Sequence, residues 1–204
     1  MTQIAEELEL KERLNLIESM IAEGRRTTES WGWIFVLWGV AYYVAIAWSA
    51  WGVHDSTAWP VTMCVALILM FAIIAWRASG GRRNSQPATT LTRAVSAVWI
   101  AVGTSFFVLL PSLGMAGRSS SNLVVAIIGT LLGTANAASG IILKWKLQLA
   151  CALIWWATAI ISCFGTTRQS FIALLVANFL CQIVFGLYGM SCETRKRRLG
   201  AVHA

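Results

Sequence analysis

Long apolar runs, separated by short polar clusters, make up most of the chain. Charge-free runs of about 18 residues or more read as membrane-crossing helices. Six such runs fall at about residues 31–51, 59–76, 94–110, 122–143, 147–165 and 170–192. A bilayer offers the backbone no water to bond with, so each run is expected to be a helix. Pro60 falls in the first turn of the second run, where a missing N–H costs nothing. Pro111 is expected to stop the third. The predicted fold class is all-α: a polytopic membrane protein with six transmembrane helices in three hairpins, preceded by a cytoplasmic amphipathic helix.

The pattern changes in residues 1–30. There Leu10, Leu14, Ile17 and Ile21 recur at 4-3-4 spacing, which lines one face of a helix. Leu16 and Met20 widen that face, and Glu6, Glu7, Glu9, Glu12, Glu18 and Glu23 lie mostly off it. A helix over residues 6–24, ending at Gly24, follows. Its apolar face could lie on the membrane surface, pair with a second copy of the chain, dock on a partner protein, or fold back on the basic cytoplasmic loops. Surface helices are usually rich in Lys and Arg, and this one is net acidic, which favours docking on a protein partner or a homo-oligomer. Domain organisation then runs as helix and linker (1–30), a six-helix transmembrane domain (31–192) and a basic cytoplasmic tail (193–204).

Composition agrees with a bilayer setting. Of the 204 residues 57% are hydrophobic and only 12% charged, about half the charge of a soluble domain. The first 13 residues carry four Glu with one Lys and one Arg, unlike the basic-then-apolar opening of a signal peptide. Lys and Arg divide 14 to 2 between the two sides that six spans define, with only Arg118 and Arg168 on the minority side. The positive-inside rule puts both termini in the cytoplasm. The net charge of +7 is therefore a topology signal, and no nucleic-acid partner is expected. The tail cluster Arg195, Lys196, Arg197 and Arg198 is also a candidate contact for anionic lipid, at about 1 kcal/mol per residue.

Candidate chemistry centres on "GTLLGTANAASG", residues 129–140. Gly129, Gly133, Ala137 and Gly140 make a small-residue stripe of the kind that lets membrane helices approach closely. Asn136 needs a polar partner, and Asn178 and Gln182 sit at i and i+4 in the sixth span. One reading packs the fourth and sixth spans together, with these three amides as interhelical hydrogen bonds. The other makes them the lining of a polar ligand pocket, beside the deep aromatics Trp38, Trp99, Trp155, Trp156, Tyr42 and Tyr43. No Asp, Glu, Lys, Arg or His lies within a span. Proton relays and acid–base hydrolysis need such residues, and intramembrane haem ligation needs His or Met at depth. No catalytic residue, cofactor or metal ligand is therefore expected. The five Cys contain no C-x-x-C and read as small hydrophobes.

The segment "LNLIESMIAEGRRTTESWGWIFVLWGVAYYVA" resembles the start of a group of small bacterial multi-pass membrane proteins. These also pass from an acidic amphipathic helix into a Trp/Gly-rich first span. The resemblance implies a bacterial inner-membrane location; the group has no known activity, so no functional residues are carried over. Ala41 and Ala45, in "AYYVA", are also similar to the first-span A-x-x-x-A of the substrate-binding subunits of energy-coupling-factor vitamin transporters. Those too are six-span chains of about this length, and use that motif to meet their partner. Two functions are thus expected in order: a non-enzymatic accessory or regulatory subunit docking through its N-terminal helix, then a small-molecule transporter or its binding subunit.

Overall fold

The computed structural model describes residues 2–51, 58–79, 90–118 and 120–202. The side chains of residues 2–5, Leu8, Ala50, Ala78 and 196–202 lie outside that description. His54, Arg82 and Arg83 are outside it, as are the side chains of Lys196, Arg197 and Arg198. Helices run in the order α1 (Thr2–Ser30), α2 (Gly32–Trp51), α3 (Ala58–Ser79), α4 (Thr90–Met115), α5 (Ser121–Ile142), α6 (Lys146–Phe164), α7 (Thr167–Asn178) and α8 (Phe185–Val202), with a π-helical turn, Phe179–Val184, between the last two. Six helical stretches are long and apolar enough to cross a membrane. They match the six expected runs, and the chain is an all-α, multi-pass membrane protein.

Several boundaries differ from expectation. α1 does not end at Gly24; it continues to Ser30, where a single turn residue, Trp31, leads into α2. Thr27 and Thr28 return their hydroxyls to the carbonyls of Glu23 and Gly24, one turn back. α4 does not stop at Pro111 but passes through it to Met115. Pro111 has no N–H to give the carbonyl one turn earlier, a loss that transmembrane helices tolerate. The true stop is Gly117, at φ +64°. Its amide bonds Gly114 O at 3.1 Å and the Arg118 amide bonds Leu113 O at 3.0 Å, the paired bonds of a Schellman cap. α8 runs without a break from Phe185 to Val202, through most of the basic segment that begins at residue 193. The last expected span is interrupted by the π turn, where the Phe185 amide reaches back to Leu180 O. Asn178 and Gln182, expected at i and i+4 on one face, both lie against Gly39 of α2.

Contacts group the chain into two compact units, one from Met1–Thr28 with Ala88–Ala173, the other from Glu29–Pro87 with Leu174–Ala204. In the first, α5 packs along α6 and α4 packs on α5. The α5–α6 seam needs glycine. A Cβ on Gly129 would come within 2.7 Å of the Trp155 carbonyl oxygen, and one on Gly140 within 2.9 Å of Leu149. A Cβ on Gly133 would strike the Trp156 ring. The stripe is therefore real, but the helix it meets is α6, the fifth span, rather than the sixth.

In the second unit α2 packs on α3, on α8 and on the π turn. Here glycine meets glycine: a Cβ on Gly32 would lie 2.5 Å from Gly186 O, and one on Gly186 would lie 2.7 Å from Gly32 O. Phe35 and Phe185 close the same seam edge to face, with centroids 5.2 Å apart. Tyr43 donates across to Leu175 O at 2.8 Å. Ala41 and Ala45, the A-x-x-x-A pair, are both buried within the chain.

Candidate functional site

The N-terminal helix divides in two. Its C-terminal half is anchored: Gly24 lies against Leu143, where a Cβ would come within 2.6 Å of the leucine Cδ2. Beside it the Arg25 guanidinium donates from Nε to Leu143 O at 2.7 Å and from Nη2 to Lys144 O. Those carbonyls follow the end of α5, where a helix leaves its last C=O groups unmatched and carries partial negative charge. Arg25 thus caps α5. The turn it clamps is a second Schellman arrangement, with the Lys144 amide on Ile141 O and the Trp145 amide on Gly140 O at 2.8 Å. Lys144 occupies the left-handed position at φ +48°, which usually falls to glycine.

The N-terminal half of α1 is not covered. Leu10, Leu14 and Ile17 are 60%, 52% and 50% exposed, and Leu16 is equally open. Ile21 is half-buried, so the stripe passes from open to covered as it nears the Gly24 anchor. Arg13 pairs with Glu9 at 2.6 Å on this half, an exposed i, i+4 bridge of the kind that adds only a few tenths of a kcal/mol. Exposed leucines on the spans have lipid to meet. Leu10, Leu14 and Ile17 are interleaved with Glu9, Glu12 and Glu18, which cannot enter hydrocarbon cheaply.

The three intramembrane amides are divided between the units. Asn136, in the first, donates to Leu132 O on its own helix at 2.8 Å. Asn178, in the second, donates to Gly39 O on α2 at 3.1 Å. Gln182 is buried on the π turn, against the face where Gly39 allows α2 to come close. The side-chain oxygens of Asn136, Asn178 and Gln182 have no protein partner among the described residues. Gln148, which the sequence reading passed over, is fully buried with neither end of its amide bonded. Its signal was present as a lone amide inside the fifth apolar run.

Among the deep aromatics, Trp99 donates to Ser139 Oγ at 3.1 Å, joining α4 to α5. Trp155 is buried and Trp156 partly exposed. Tyr42 packs edge to face on Trp59, with centroids 5.9 Å apart, and Arg77 sits over the Trp33 ring at 4.8 Å. Among the described residues no three His, Cys, Asp or Glu side chains converge. Arg195 is exposed near the end of α8. Compared with known proteins, the chain matches no family model, no curated protein and no solved structure.

Proposed function

We propose that this is a non-enzymatic accessory or regulatory protein of the bacterial inner membrane, with both termini cytoplasmic, that docks a protein partner through α1. The observation that carries the reading is the open stripe Leu10–Leu14–Ile17 on a helix whose other half is fixed by Gly24 and Arg25. A stripe held on a fixed stem is already ordered, so binding loses little conformational entropy. The 14 to 2 division of Lys and Arg supports the orientation. A photo-crosslinking residue placed at Leu14 tests this in cells. It is expected to trap a defined polypeptide, while the same probe at Glu12, on the opposite face, traps none. A product of twice the chain mass would make the partner a second copy. Equal yields at both positions would contradict the docking face.

A second reading, a small-molecule transporter or its binding subunit, is favoured by the unmatched oxygens of Asn178, at the end of α7, and of Gln182, on the π turn that follows, a feature frequent at functional sites. It predicts that Asn178→Ala or Gln182→Ala weakens ligand binding with little loss of thermal stability. If both simply destabilise the fold, the amides are packing residues.

A further inference from the structure

We propose that α1 pairs with α1 of a second copy of this chain as a short parallel coiled coil; the inference rests on the docking reading above and names its partner. Leu10, Leu14, Ile17 and Ile21 take alternate d and a positions of a heptad. Glu7, at the preceding a position, ends the apolar seam on the open side, and Gly24, which lies against Leu143, ends it at the stem. This register decides which charges border the seam. Glu6 and Arg13 fall at g, and Lys11 and Glu18 fall at e. In a parallel pair each g residue meets the e residue five places on in the other helix. Glu6 then meets Lys11 of the partner subunit, and Arg13 meets the partner's Glu18. Both matches are opposite in charge, and the two-fold relation repeats each of them, giving four ion pairs. An antiparallel pair sets e against e and offers only Lys11 with Glu18, twice. The acidic balance of α1 does not oppose pairing, because Glu9 and Glu12 lie at c and f, away from the seam.

In the single chain this surface is open. Glu6, Lys11, Arg13 and Glu18 are all exposed beside Leu10, Leu14 and Ile17. Glu6, Lys11 and Glu18 make no ion pair among the described residues. Arg13 holds Glu9 on its own helix, and its five donors leave room for a second carboxylate. Two heptads alone make a marginal coiled coil, chiefly because the helices must first form. Here that cost is met within the chain. α1 joins α2 through Trp31 alone and is fixed by Gly24 and Arg25. Insertion in one membrane also confines both copies to a layer and raises their effective concentration. Neither a lipid surface nor a uniformly basic partner accounts for edges that carry both signs in this order. A second copy in this register matches them residue for residue.

The test uses the full chain, co-expressed under two affinity tags, with one tag recovered through the other after gentle extraction. The wild type is expected to co-purify with itself. Lys11→Glu with Arg13→Glu makes all four edge positions acidic, and Glu6→Lys with Glu18→Lys makes them all basic. Each double variant should lose self-recovery about tenfold, four attractions having become four repulsions. Co-expressing the acidic with the basic variant should restore recovery, since every g–e match is again opposite in charge. Orientation is read in membranes by mild oxidation, with the wild type as the blank for its own five cysteines. Leu14→Cys should link two copies, because a parallel pair brings a against a, and Glu12→Cys should not. Self-recovery that is absent, or equal in every combination, overturns the pairing. Restored recovery without the Leu14→Cys link overturns the parallel register. The photo-crosslinking probe at Leu14 separates failure of the pairing from failure of the docking face. A different polypeptide trapped there keeps the docking face and overturns the second copy, and no product at all contradicts both.

Discussion

α5 and α1 each carry a stripe made for contact, and they differ in whether the chain completes it. The small residues of α5 meet α6 along their length, with Gly129 under the Trp155 carbonyl and Gly140 under Leu149. Even the end of α5 is finished, by Arg25. The apolar stripe of α1 is finished only at its anchored half and remains open at Leu10, Leu14 and Ile17. A completed contact contributes to the stability of the fold. An open one on an acidic helix would, on the proposed reading, contribute to association. The two stripes should therefore respond to substitution in different measurements.

The largest loss of stability is expected at Gly129→Ala. Its Cβ would meet backbone 2.7 Å away, and overpacking of this kind costs about 1–3 kcal/mol. Gly133→Ala should cost less, although its Cβ meets the Trp156 ring at shorter range. That ring is partly exposed and can swing aside. Denaturant unfolding in micelles ranks the two, and a larger cost at Gly133 would show that Trp156 is a fixed wall. Arg25→Gln removes the charged cap on α5 and should cost about 1 kcal/mol. Lys144→Gly should gain about 1 kcal/mol by relieving a left-handed side-chain residue. Smallest of all is Leu14→Glu with Ile17→Glu. With both positions exposed, the change in unfolding free energy should stay within about 0.5 kcal/mol. A large loss there would mean that the open stripe is a packing surface after all.

Much of this architecture was legible because run length and charge dominate it. The six apolar runs needed no tertiary information, and the α1 stripe followed from spacing alone. What periodicity does not carry is the identity of the partner surface. Gly129, Gly133 and Gly140 announced a close approach, but only the fold shows α6 beneath them. Gly24 looked like a helix stop because in sequence a spacer glycine and a capping glycine are the same letter. Its role depends on Leu143, more than a hundred residues away. Arg25 was counted only as a topology charge, for the same reason. Pro111 was read by rules learned in water, where a broken helix hydrogen bond finds solvent. The stop came instead from Gly117, whose left-handed backbone completes a cap. The Gly32–Gly186 contact and the π turn left weaker traces. Gly186 stands four residues after Gln182 in the last run, but nothing in the sequence pairs it with Gly32. Of the candidate sites, the docking stripe was visible as a pattern. Gln148 left a trace as a lone amide inside an apolar run, but its complete burial emerges only from the fold.

The most direct test of the docking account is native mass spectrometry of the chain extracted gently from its own membrane. It would compare the wild type with the Leu14→Glu, Ile17→Glu variant. Deleting α1 would be a poorer choice, because it also removes the Arg25 cap from α5. The account predicts a second polypeptide bound to the wild type and absent from a variant of unchanged stability. A lone chain in both, or a partner retained by the variant, would contradict it.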